Sequence, residues 1–145
     1  MKLLNYTLIL LFTFGMLSCS SSGGGSDKIA PVINFTNLSS SEGAYTPVTD
    51  DRFEIVITLT DDEELKSISF DGVTGGAVKH ASEFLITLQA ALDAQASDQL
   101  GVESKTIKVQ LEDLGYVEPS KYIIPCNVTD ASGNIATKKA YLEIK

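Results

Sequence analysis

From Ile29 to the C-terminus, apolar and polar residues alternate in short runs separated by turn-forming residues. A run of period two predicts a strand with one face in a core and the other in water. The clearest is Arg52–Thr60, where Phe53, Ile55, Ile57 and Leu59 alternate with Glu54, Val56 and Thr58. Thr106–Glu112 repeats the pattern with Ile107, Val109 and Leu111, and Tyr122–Val128 with Tyr122, Ile124, Cys126 and Val128. Ile29–Phe35 directs Ile33 and Phe35 inward, Leu65–Val73 directs Ile68 and Phe70, and Ile135–Lys145 directs Ala140, Leu142 and Ile144. In Glu83–Leu88 the alternation of Phe84, Ile86 and Leu88 predicts a further strand, running into a short helical turn over Gln89–Ala96. Ser39–Gly43 and Pro47–Asp51 predict a long polar connection after the first strand.

Seven short strands and no long helix predict an all-β fold, an antiparallel seven-stranded β-sandwich over residues 29–145. Each large apolar side chain stabilises by about 1.5–3 kcal/mol when fully buried, so this inward set suffices for one core. Pro125 lacks a ladder donor, so one side of its strand must tolerate a gap or bulge. In Asp130–Asn134, Gly133 can take a positive φ after a type I turn while Asp130 accepts from the turn's own amides.

The N-terminal pattern is different. Lys2 precedes an apolar run ending near Phe14, too short to span a bilayer and of a length suited to a secretory signal. Gly15–Met16–Leu17–Ser18–Cys19 follows, then Ser20–Ser21–Ser22–Gly23–Gly24–Gly25–Ser26. This stretch resembles the lipobox of bacterial lipoproteins, with Met16 and Leu17 departing from the commonest residues of that motif. The resemblance implies a signal peptide over residues 1–18 and acylation of Cys19 as the new N-terminus. Residues 19–28 then form the acylated end and a Ser/Gly tether, and Ser20 after the cysteine implies sorting to the outer membrane. Eight residues of such a coil reach roughly 16 Å.

Charge narrows the partners. The chain carries 11 cations against 19 acids, a net charge of −8, and loss of residues 1–18 removes only Lys2, leaving −9. Nucleic acid is therefore not an expected partner, since its recognition needs a basic surface. Membrane attachment through acyl chains needs none. Of the two cysteines, the lipobox resemblance commits Cys19 to lipid, which would leave Cys126 without a disulfide partner.

Three stretches carry a second resemblance. Asp27–Lys28–Ile29–Ala30–Pro31–Val32–Ile33 is similar to the opening strand of bacterial immunoglobulin-like domains. Leu59–Thr60–Asp61–Asp62–Glu63–Glu64–Leu65–Lys66–Ser67–Ile68 resembles their acidic second loop, and Val128–Thr129–Asp130–Ala131–Ser132–Gly133–Asn134–Ile135 their last hairpin. With the lipobox and tether, the whole looks like a small lipoprotein of Bacteroidota carrying one immunoglobulin-like or cadherin-like domain. Tyr122, four residues before Cys126, then resembles the tyrosine-corner residue of such sandwiches.

In a simple sandwich, Asp27, Asp61, Asp62, Glu63, Asp98, Asp130 and Asn134 share one end. Converging oxygens are what Ca²⁺ requires, and cadherin-like domains bind it between loops, so Asp27, Asp61, Asp62, Asp130 and Asn134 are candidate Ca²⁺ ligands. Catalysis finds less support: His80 is the sole histidine, no nucleophile elbow surrounds a serine, and Gly72–Gly76 lacks the lysine of a phosphate loop. No catalytic residue is expected, and Cys126 is expected to be buried and inert. A glycan platform would have to use Tyr45, Tyr116 or Tyr141, as the chain has no tryptophan; Tyr141 and Lys139 share the outer face of the last strand. The expected function is a lipid-anchored, non-enzymatic binding module with a protein or glycan partner. The alternative is a carbohydrate-binding accessory lipoprotein of a polysaccharide uptake system.

Overall fold

The computed structural model describes residues 28–50, 52–96, 100–112, 114 and 117–145. The expected signal peptide, Cys19 and the tether as far as Asp27 lie outside them. The elements are β1 (Val32–Phe35), β2 (Thr46–Val48), β3 (Phe53–Thr60), β4 (Leu65–Phe70), β5 (Thr74–Gly75), α1 (Val78–Ala96), β6 (Ser104–Leu111), β7 (Ser120–Asp130) and β8 (Ile135–Ile144).

Two sheets pack face to face. One has the order β1-β3-β6, the other β2-β8-β7-β4, with β5 also pairing with β7. This is the strand order of an immunoglobulin-like sandwich, with β1, β3 and β6 on one side and β4, β7 and β8 on the other. On three of the long strands the predicted inward residues are buried, namely Ile55, Ile57 and Leu59 on β3, Ile107, Val109 and Leu111 on β6, and Ile124, Cys126 and Val128 on β7, while Phe53 at the start of β3 is half-buried.

Three differences from the expected pattern have physical causes. The strand expected over Glu83–Leu88 is part of α1, 19 residues long. Ala81, Phe84, Leu88 and Leu92 follow helical spacing and are buried, whereas Ile86, whose alternation suggested a strand, is 68 % exposed. The polar connection after β1 contains β2, which pairs parallel to β8, so the sandwich is not wholly antiparallel. Its strands number eight among the described residues, because β2 and β5 are too short for a periodic signal.

Pro125 explains why β4 and β5 are separate strands. β4 pairs with β7 through Cys126 and beyond, β5 pairs at Tyr122 and Ile123, and the chain leaves the ladder between them. The amide of Asp71 donates to the Pro125 carbonyl at 3.1 Å, so the proline's missing N–H lies on this same side. The ladder with β8 stays continuous across it. The gap expected from sequence is here.

The helix takes the place of a fourth strand beside β6 and closes that side of the sandwich. Its glutamines act as surrogate peptide groups. Gln89 Oε1 accepts the Phe70 amide of β4 at 3.0 Å. Gln95, with its amide turned to satisfy both partners, donates to the Lys108 carbonyl and accepts from the Gln110 amide of β6. Upstream, Gly75 has φ +115° and a Cβ there would stand 1.9 Å from the Lys121 carbonyl oxygen, so β5 can meet β7 only as glycine.

The opposite side is closed by the chain changing sheets. Lys138 Nζ donates to the Ile33 carbonyl of β1 at 2.9 Å. Asn37 then extends the edge of β3, accepting from the Val56 amide and donating to the Glu54 carbonyl. The Tyr141 amide donates to Ser39, and Lys145 to Val48 of β2. Pro47 brings no N–H to the open edge of that strand.

Candidate functional site

The expected loop end exists, and its loops interlock. The amide of Asp61 donates to the Glu103 carbonyl at 2.8 Å, that of Leu65 to Val102, and that of Ala131 to Glu64. Ser132 Oγ donates to Glu63 Oε2 at 2.6 Å, tying the β7–β8 hairpin to the β3–β4 turn. Sequence reasoning brought Asp61, Asp62, Glu63, Asp130 and Asn134 to this end, and the strand order places them there. Asp27 and Asp98 lie outside the described residues.

The chemistry of the individual groups differs. Asp130 is fully buried, the one buried charged side chain among the described residues. Its Oδ1 accepts the Asn134 amide at 2.8 Å and its Oδ2 the Asn134 Nδ2 at 2.7 Å. Burial pushes the Asp130 carboxyl up, but hydrogen bonds from the Asn134 side chain and the amides of Asn134, Gly133 and Ser132 outweigh it, holding its pKa below the usual value. A carboxylate offers about four lone-pair sites, and here the turn's own donors occupy them. Asp130 and Asn134 thus hold the hairpin together. Asp61 is half-buried at the end of β3 and Asp62 is exposed. Among the described residues no group of three or more His, Cys, Asp or Glu side chains is arranged to hold a metal ion.

The groups weighed for catalysis are scattered. His80 sits in the first turn of α1, its Nδ1 3.6 Å from Glu83 Oε2. Cys126 is fully buried, and burial pushes its thiol up to about 12, which leaves it protonated and unreactive. Tyr122 matches its resemblance in geometry, its hydroxyl donating to the Glu118 carbonyl at 2.7 Å, four residues upstream. Burial, and then the Glu118 charge, raise the pKa of that hydroxyl.

Glu118 was not legible as a key residue. Its Oε2 also accepts the Ala77 amide at 3.0 Å, where α1 begins, so a distant loop supplies the carboxylate that the helix's own first turn lacks. The Glu-Pro pair before a strand is the one local hint, and it does not point to a helix 40 residues earlier.

The tyrosines also fall differently from expectation. Tyr141, placed by alternation on the outer face, is buried at 6 % exposure. Tyr45 covers it edge to face, ring centroids 5.5 Å apart, and Lys121 Nζ lies 5.0 Å from the Tyr45 ring centroid. Tyr116 lies outside the described residues. The outward positions of β7 and β8 pair Lys121 with Glu143, Ile123 with Tyr141, Pro125 with Lys139 and Asn127 with Thr137. Ile123 and Pro125 are half-buried and Lys121 and Lys139 exposed, giving a mildly apolar strip between two ammonium groups.

Among the described residues no helix is long and apolar enough to cross a membrane. Comparison with known families, with curated proteins and with solved structures finds no match.

Proposed function

We propose that this chain is a lipid-anchored binding module of a bacterial cell envelope, without catalytic chemistry, held at the outer membrane by acylated Cys19. The observation that carries the reading is a closed sandwich whose first strand is reached directly from a Ser/Gly tether behind a lipobox-like cysteine. Metabolic labelling with an alkynyl palmitate should mark the wild type and not Cys19→Ala, which should also leave the membrane fraction. A wild-type chain found unlabelled in the soluble fraction would overturn the anchor.

The contact surface is a sheet face rather than a sheet edge. Each edge is blunted: β1 by Lys138, β2 by Pro47, β4 by Gln89 and β6 by Gln95. On a molecule of net charge −8, the outer strip of β7 and β8 carries Lys121 and Lys139 against Glu143, which itself lies 4.0 Å from Lys145. Such a strip suits an anionic partner, protein or glycan. A photoreactive residue at Thr137 should cross-link in intact cells, and Lys121→Glu with Lys139→Glu should abolish the product. Cross-linking indifferent to both reversals would remove this face from the reading. The carbohydrate-capture alternative is weakened by Tyr141, since a buried ring cannot serve as a stacking platform.

A further inference from the structure

Among the described residues five large apolar side chains are exposed: Ile29, Val32, Ile86, Val102 and Ile135. Single exposed apolar residues are ordinary, but the placement of these is uneven. Val32 pairs with Thr60, and Thr60 with Ser104, which follows Val102 by two residues. Ile135 pairs with Thr129, beside the Leu65–Asp130 pair, and the Leu65 amide donates to Val102. Four of the five therefore ring one end of the sandwich, and only Ile86, on α1, stands apart. Ile29, Ala30 and Val32 also line a concavity there with Thr60, Asp61 and Asp62.

We infer that this ring is a membrane-contacting rim, its occupant the lipid surface to which the domain is tethered; the inference rests on the lipid-anchor reading. The chain reaches Lys28 and Ile29 at this end, after the eight residues Ser20–Asp27. Their r.m.s. reach is roughly 16 Å, whereas an eight-residue strand such as β3 is about 26 Å long. The tether keeps the ringed end close to the lipid and the far end beyond its ordinary reach. A small apolar contact that could not recruit a free protein is effective when the local concentration is set by a short tether. Charge selects the lipid: Asp61, Asp62, Glu63, Glu64 and Glu103 outnumber Lys28 and Lys66 among the apolar side chains, so the rim suits a zwitterionic surface and is repelled by an anionic one. With this end down, the outer strip of β7 and β8 remains free along the side of the domain.

The chain has no tryptophan, so an introduced one reports alone. The full mature chain is coupled through Cys19 to a maleimide lipid in phosphatidylcholine vesicles containing brominated acyl chains. Buried Cys126 does not compete for the coupling. Ile135→Trp should be quenched several-fold more than Glu112→Trp at the opposite end, and adding Val32→Ser with Val102→Ser should remove most of the difference. Equal quenching at the two positions, or quenching at residue 135 unchanged by the serines, would overturn the rim. Because the coupling is chemical, neither outcome depends on acylation in the cell, which the palmitate labelling tests separately.

Discussion

The two open sides of this sandwich are closed by different means. Between β4 and β6, a helix lays Phe84, Leu88 and Leu92, all fully buried, into the gap between the sheets. Between β1 and β8, one buried side chain, Leu38, is flanked by polar contacts near the surface: Lys138 Nζ to the Ile33 carbonyl and the Tyr141 amide to the Ser39 carbonyl. The first side stands on apolar burial, which is non-directional and large. The second buries less and leans more on hydrogen bonds, each of which replaces a bond to water and nets only about 0.5–1.5 kcal/mol. One fold thus has a side that tolerates little loss of volume and a side that tolerates much loss of polarity.

The largest break in this comparison should come from Leu88→Ala. Removing a fully buried leucine costs about 2–5 kcal/mol, and urea denaturation should show the midpoint falling accordingly. A loss below about 1 kcal/mol would mean that the helix is not part of the core. Gln89→Leu comes next, leaving the Phe70 amide unpaired at a cost of about 1–3 kcal/mol. Native-state hydrogen exchange should show the Phe70 amide released while that of Val56 stays protected. On the other side, Lys138→Met keeps the stem and removes only the bond to Ile33, so less than about 1 kcal/mol should be lost. Should it cost as much as Leu88→Ala, the two sides would be energetically alike.

Acid should leave the comparison untouched, because the group it acts on fastens the end common to both sides. Asp130 has a lowered pKa in the folded state, so its contribution is fully present above the unfolded carboxyl value of about 3.9. It is lost as pH falls through the lower folded value. Denaturant midpoints measured from pH 6 down to pH 2 should decline for the wild type and decline less for Asp130→Asn. Parallel curves would show that another carboxylate dominates.

Much of this architecture was legible because strand periodicity is local. In β3, β6 and β7, alternation alone identifies the buried residues, and the ladder needs no information from elsewhere. The hairpin at Asp130–Asn134 was readable for the same reason, its donors and acceptors lying within five residues. The loop end was only partly legible. Strand order brings the acids to one end, but a turn that consumes the lone pairs of Asp130 is invisible until its amides are placed.

Sequence by itself therefore determined the faces of β3, β6 and β7 and the interruption at Pro125, each a consequence of geometry within a few residues, whereas the tyrosine corner at Tyr122 was implied by the family resemblance. Tertiary structure decided the rest. Phe84, Ile86 and Leu88 are apolar in any conformation, and only the gap beside β6 selects the helix that buries two of them and exposes the third. Tyr141 points outward by alternation, and only the β1–β2 loop, folding Tyr45 over it, removes it from water. The physical reason is common to both: periodicity records which face a residue is on, whereas burial depends on what distant segment comes to lie against that face.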